Sequence, residues 1–209
     1  NHRSWIDVMM IMLALGPGTT LPRFFMKWEL IYVPVIGSCA FALDFPIMRR
    51  YSPAEIKQDL SRKNRDFMYA QRVLSRHQNM SCVVVNFVEG TRFTEEKHKK
   101  SKSPYRNLLK PKVGGAQLTL ECLRERIDGI VDVTLCYPNA NLGIWSLLSG
   151  RIPRVKIHRD LLNVPNSLSR GPKTLEDYQA FRKFVNKRWA IKDTLIDQML
   201  SDIPGADHT

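Results

Sequence analysis

Eight residues, Ser81-Cys-Val-Val-Val-Asn-Phe-Val88, constrain the fold of this chain more than any other stretch. β-Branched and aromatic side chains dominate the run, which predicts a buried strand. The strand ends directly on Glu89-Gly90-Thr91-Arg92. A strand end that opens into a glycine turn is where layered α/β proteins place their ligands.

The rest of the chain fits that architecture. An apolar run from Val8 to Leu15, stopped by Gly16-Pro17-Gly18, predicts a helix from about Ser4 to Leu15. Phe45 to Met48 reads as a short strand leading out to Arg49 and Arg50, and Ser52 to about His77 as a charged helix. A basic loop is expected from Thr94 to Pro111, then a helix from Val113 to Leu123 that opens on Gly114-Gly115. Ile130 to Tyr137 predicts a second buried strand, closed by Pro138-Asn139, and Val155 to Leu161 a third. Leu175 to Leu200 carries Tyr178, Phe181, Val185, Trp189, Ile196 and Met199 on one apolar face of a terminal helix, open to core packing or to a membrane surface. Strands alternating with helices give an α/β fold: a layered domain with a mostly parallel or mixed central sheet flanked by helices. At 209 residues, with no repeat or low-complexity tract, residues 1–209 are expected to form a single domain.

Charge narrows the partners. Thirty-two basic residues against 20 acidic ones give a formal net charge of +12, which calls for an anionic partner: nucleic acid, an acidic membrane face or phosphate-bearing substrates. Single-stranded nucleic acid is disfavoured, because the basic run Lys97-His98-Lys99-Lys100 lacks the interleaved aromatics that stack bases. That run could steer the domain to an anionic surface or be a solvated loop. Cys39, Cys82, Cys122 and Cys136 are widely spaced among apolar neighbours and read as reduced core residues, so no metal site is expected. No stretch reaches the roughly 18 apolar residues a membrane-spanning helix needs. The best, Leu30 to Leu43, is broken by Pro34 and Gly37.

The chemistry concentrates at two places. His2 and Asp7 flank the start of the first predicted helix, where their side chains can meet although they are five apart. A neutral imidazole held by a carboxylate can take a proton from an alcohol as that alcohol attacks a carbonyl. The same two residues could merely cap a helix and balance its dipole. At the glycine turn, Gly90 would let backbone amides approach a phosphate or an oxyanion, and Arg92 offers a planar fork for phosphate oxygens. Arg49 and Arg50 end another predicted strand and could form a second phosphate clamp if the strand ends converge, and Lys27, Lys110 and Lys112 are further cationic candidates. His2 stands second in the chain, so a preceding segment is expected to hold it.

Taken together, these motifs resemble the membrane-associated glycerolipid acyltransferases, the 1-acylglycerol-3-phosphate O-acyltransferase family. Four blocks carry the likeness: Asn1-His2 through Asp7; Lys27-Trp28-Glu29-Leu30 with Pro34, Gly37 and the arginine at 49 or 50; Glu89-Gly90-Thr91-Arg92; and Val131 to Tyr137 ending in Pro138. They stand in the family's order. Asn-Phe-Val-Glu-Gly-Thr-Arg-Phe-Thr, Leu-Leu-Lys-Pro-Lys and Val-Asp-Val-Thr-Leu-Cys-Tyr-Pro look closest to a bacterial inner-membrane branch similar to the lysocardiolipin acyltransferases. Two departures stand out: Val88 where the family usually has proline, and Met48-Arg49-Arg50 in place of a Phe-Ile-x-Arg-like run.

The resemblance implies an acyltransferase domain. His2, oriented by Asp7, would deprotonate the free hydroxyl of a lysophospholipid, and the oxygen would attack the thioester of acyl-CoA or acyl carrier protein with no acyl-enzyme. Arg92 and Arg50, preferred to Arg49 on register, would bind the acceptor's phosphate. Lys27 and Lys112 would assist, and Glu89, Gly90, Thr91 and Pro138 would shape the site. No cofactor is implied beyond the acyl donor as co-substrate. The expected location is a membrane, the bacterial inner membrane with the domain facing the cytoplasm, tethered by N-terminal helices. Lysophosphatidylglycerol or lysocardiolipin as acceptor and, in another class, a basic nucleic-acid-binding domain are the competing readings.

Overall fold

The computed structural model describes residues 1–34, 36–49, 59, 65, 68–69, 71–73, 81–123, 127–137, 144–152, 154–162 and 174–202. Helix α1 (Ile6–Leu15) stops at Gly16, whose amide closes on the Leu13 carbonyl at 3.2 Å and whose φ of 82° turns the following chain out of the helix. The chain then runs through β1 (Arg23–Phe24) into β2 (Met26–Lys27). β1 pairs in parallel with β4 (Val84–Val85), and β2 in parallel with β3 (Ile47–Met48). The switch of neighbour falls at Phe25 and Met26, whose amides reach the carbonyls of Val85 at 3.4 Å and Pro46 at 3.0 Å. This explains why only Val84–Val85 of the predicted 81–88 strand joins a ladder: its partner segment turns away to β3 after Phe24. Because both pairings are parallel, Lys27, Arg49 and the segment after Val85 leave their strands at the same end of the layer.

β5 (Ile130–Cys136) pairs antiparallel with β6 (Lys156–Leu162), from Ile130↔Leu162 to Cys136↔Lys156. The strands are therefore mixed in direction, within the expected α/β class, and pair in twos among the described residues. Alternation along β5 separates two cores. Leu135 and Tyr137 pack with Ile6, Met10, Ile11 and Phe24 on the α1 side. Cys136 packs on the opposite side with Leu108, Leu120 and a row from the terminal helix: Phe181, Val185, Trp189, Ile196 and Met199. Helix, strand and helix layers follow directly. The apolar face of the terminal helix is thus spent on core packing, apart from half-buried Tyr178.

A 3₁₀ turn (Trp28–Tyr32) leads to α2 (Ile36–Ala42), packed so closely that a Cβ at Gly37 would collide with the Ile31 carbonyl. α3 (Glu95–Ser101) lies where a loop was expected. Its signals are local: Thr94 caps it by accepting from the Lys97 amide at 3.2 Å, with acidic residues in the first turn and basic ones in the last. α4 (Gly114–Leu123) and the long α6 (Leu175–Ser201) match expectation, α6 opening with a capping box between Thr174 and Asp177. Between them α5 (Ile144–Leu148) was not foreseen. Most of the charged helix expected from Ser52 to His77 lies outside the described residues. The cysteines correct the sequence reading: Cys136 is buried, whereas Cys82 and Cys122 are half-buried and Cys39 is exposed. Cys39 sits on the outward side of short α2, where apolar neighbours in sequence do not become neighbours in space. Among the described residues no helix is long and apolar enough to cross a membrane.

Candidate active site

The chain enters α1 through a tight arrangement built around one carboxylate. Asp7 is fully buried, and its Oδ2 accepts from the backbone amides of Arg3 at 2.6 Å and Ser4 at 2.9 Å. The aspartate thereby caps the helix start from inside the first turn, where Trp5 offers no side-chain cap. The same oxygen lies 2.8 Å from Nδ1 of His2. Its other oxygen, Oδ1, accepts from the Tyr137 hydroxyl at 2.5 Å. Burial opposes ionisation of Asp7, but the hydrogen bonds from His2, Tyr137 and the Ser4 amide outweigh it and hold the carboxyl below its ordinary range. Burial first, then the neighbouring Asp7 charge, pushes the Tyr137 phenol up, so it remains a donor.

With Nδ1 engaged, Nε2 of His2 is the imidazole nitrogen left to meet a substrate. The Phe87 ring stacks on the imidazole at 4.0 Å between centroids and 21° between planes, covering one face. The side chain of His2 retains 18% exposure. Its backbone is fixed on both sides. The His2 amide donates to Glu89 Oε1 at 3.0 Å, and its carbonyl accepts from the Phe93 amide at 2.8 Å. Asn1 adds a third anchor: its amide group donates to the Leu135 carbonyl at 2.7 Å and accepts from the Leu135 amide at 2.9 Å, imitating a peptide rung against β5.

Glu89 therefore belongs to the scaffold of His2. It is 1% exposed, and its second oxygen accepts from the Leu109 amide at 3.3 Å. Burial pushes its carboxyl up, against the His2 and Leu109 amides that favour the charged form. Leu109 is in turn held by α6, since its carbonyl accepts from Trp189 Nε1 at 2.9 Å. At Gly90 the φ of 69° and an amide bond to the Phe87 carbonyl at 2.8 Å make the turn that residues with a Cβ rarely adopt. Arg92 is exposed and places its guanidinium 5.5 Å from the Trp5 ring centre, one residue before Phe93, whose amide grips His2. Thr91 Oγ1 accepts from Lys97 Nζ at 3.0 Å.

The structure thus brings His2, Asp7, Glu89, Gly90, Thr91 and Arg92 together. Lys27 is exposed at the end of β2, and Arg49 follows β3 with its guanidinium 4.5 Å from the Trp28 ring centre. Both stand at the same end of the parallel ladders as the glycine turn. Lys112 is exposed, its amide bonded to the Val88 carbonyl at 2.6 Å. Arg50 and Pro138 lie outside the described residues. Sequence reasoning missed Tyr137, Phe87 and Asn1 as parts of the site. Each sits next to, or inside, a block that had been singled out, which was the available signal.

Residues 1–138 match the family model described as Acyltransferase. Over 139 residues the chain is 27% identical to the 2-acyl-1-lysophosphatidylinositol acyltransferase of Saccharomyces cerevisiae, covering 56% of this chain and 33% of that protein. It is 27% identical over 143 residues to the 1-acyl-sn-glycerol-3-phosphate acyltransferase delta of Mus musculus, covering 64% of this chain and 34% of that protein. The Rattus norvegicus protein of the same name gives the same values, 27% over 143 residues. The chain spans about a third of the length of these curated relatives. No solved structure matches.

Proposed function

Because the chain belongs to the Acyltransferase family, we propose that it moves a fatty acyl group from a thioester donor to the free hydroxyl of a lysophospholipid, with 1-acylglycerol-3-phosphate as the acceptor. The observation that carries this reading is the 2.8 Å contact between His2 Nδ1 and a fully buried Asp7. That contact leaves Nε2 as the nitrogen to act as a base. In the proposed reaction Nε2 accepts the hydroxyl proton while the oxygen attacks the thioester carbonyl. The carbon–sulfur bond then breaks, and the imidazolium returns the proton to the leaving thiolate of CoA or of the acyl carrier protein. Asp7 holds the tautomer and stabilises the transient imidazolium.

Supporting the acceptor class, Arg92 follows a parallel strand and directly precedes Phe93, whose amide holds the His2 carbonyl. Lys27 and Arg49 add positive charge at the same strand ends. Lys112 and the residues outside the described set, Arg50 and Pro138, keep the roles the family resemblance implies. The net charge of +12 suits an anionic leaflet and anionic donors alike, so the reading assigns the work to a membrane surface. The yeast relative is named for an inositol-bearing acceptor. The second reading is therefore the same chemistry on another lysophospholipid head group, such as lysophosphatidylglycerol or lysocardiolipin.

The test is a labelled acyl-donor assay on purified protein in vesicles, run across a panel of lysophospholipid head groups. Wild-type protein should form diacyl product, and His2→Ala should lose it by about 10³-fold or more, as expected for removal of a base acting with its carboxylate. Full turnover by His2→Ala would end the proposal, and the panel ranks the acceptors.

A further inference from the structure

The first turn of α3 folds back over the glycine turn and brings a lysine with it. Lys97 Nζ donates to Thr91 Oγ1 at 3.0 Å and to the Arg92 carbonyl at 3.0 Å. Both acceptors are neutral oxygens. Among the described residues no carboxylate lies within ion-pair distance of Lys97, and the neighbouring Glu95 and Glu96 are exposed. The residue is half-buried, and its ammonium is held on two neutral oxygens without a counter-charge. An ammonium carries three N–H donors, and two are accounted for by the turn.

This cation is held on the backbone of the residue that carries the Arg92 guanidinium. A phosphate monoester carries nearly two negative charges and accepts several charge-assisted hydrogen bonds, more than one fork satisfies. Resting on the acyl-transfer reading above, we propose that Lys97 is a second cation of the acceptor site, gripping the lysophospholipid's phosphate together with Arg92. It binds the head group and holds the turn; it does not touch the reacting hydroxyl. Lys99, Lys100 and Lys102 of the same basic run are exposed and lack this tie to the turn.

Purified wild-type, Lys97→Met, Lys97→Gln and Lys97→Arg proteins would be compared with 1-acylglycerol-3-phosphate and with a lysophosphatidylcholine acceptor, whose phosphate is a diester. Lys97→Met and Lys97→Gln should raise KM for the monoester acceptor by about tenfold or more, the scale of one charge-assisted hydrogen bond. Expected alongside are a kcat within about twofold of wild type, an unchanged KM for the acyl donor and recovery in Lys97→Arg. Lys97→Gln keeps a donor for Thr91 without the charge, so a wild-type KM in that variant would overturn the proposal and leave a tether only. An equal fall in kcat on both acceptors would overturn it too. Calorimetric titration with glycerol 3-phosphate reads the same grip without turnover. Lys97-dependent binding by a protein that transfers no acyl group would sink the catalytic reading and leave this one standing. Transfer that is indifferent to Lys97→Gln would do the reverse.

Discussion

At the scale of single residues, Asp7 is the group on which the site turns. Four donors converge on it: three on Oδ2 and the Tyr137 hydroxyl on Oδ1. Removing one donor leaves a buried oxygen short of a partner. Tyr137→Phe should therefore cost about 1–3 kcal/mol of stability at neutral pH, measured by urea unfolding. The pH dependence has a definite sign. The folded-state value of Asp7 is depressed, chiefly because its hydrogen bonds outweigh the opposing effect of burial. Its contribution is thus complete above the unfolded value of about 4 and is lost as pH falls through the folded one. The difference between wild type and Tyr137→Phe should be widest above about pH 4 and shrink below it. A gap that stays constant down to low pH would show that the hydroxyl does not act through this carboxylate.

At the scale of elements, α6 is fastened to the β5–β6 pair by buried charge as well as by apolar packing. Lys192 is 2% exposed; its Nζ lies 2.5 Å from Asp132 Oδ1 and donates to the Val133 carbonyl at 2.8 Å. Arg188 bridges Asp132 at 3.3 Å and Asp160 at 2.8 Å, tying both strands to the helix. Lys192→Met takes the nearer cation from a largely buried carboxylate and leaves it Arg188 alone at 3.3 Å, so it should cost about 2 kcal/mol, whereas Lys192→Met with Asp132→Leu should recover much of it. A single variant as stable as wild type by chemical denaturation would remove this clamp from the account. Such pairs were not legible in the sequence. Asp132 and Lys192 sit on elements far apart in the chain, and only the β5 register and the phase of α6 bring them together.

The same reason divides what could be read from what could not. α1, α4, β5, β6 and α6 follow from local periodicity, and the meeting of His2 with Asp7 follows from a spacing across one helix start. The contact between Tyr137 and Asp7 spans 130 residues, and the segment from Arg23 to Lys27 becomes a strand only because two neighbours flank it in turn. α3 was hidden by its charge, which resembles a solvated loop until Thr94 is recognised as its cap.

At the scale of the whole molecule, the net charge of +12 sets how the proposed enzyme meets its substrate layer. Exposed Trp5, Met9 and Leu13 place apolar surface along α1, beginning at the ring beneath Arg92. Vesicle co-sedimentation should show binding to phosphatidylglycerol-containing vesicles that falls about tenfold as the Debye length shrinks from about 10 Å toward 3 Å. The effect should be the same for His2→Ala. Binding indifferent to salt would argue against charge as the means of approach.

The stacking of Phe87 on His2 has a geometric outcome for any acceptor with more than one hydroxyl. One side of the ring is sealed and one nitrogen is occupied, so an incoming oxygen must arrive edge-on, along a single line. In the proposed reaction, which position on the glycerol is esterified then depends on the angle between that line and the head group, rather than on any difference in reactivity between the alcohols themselves.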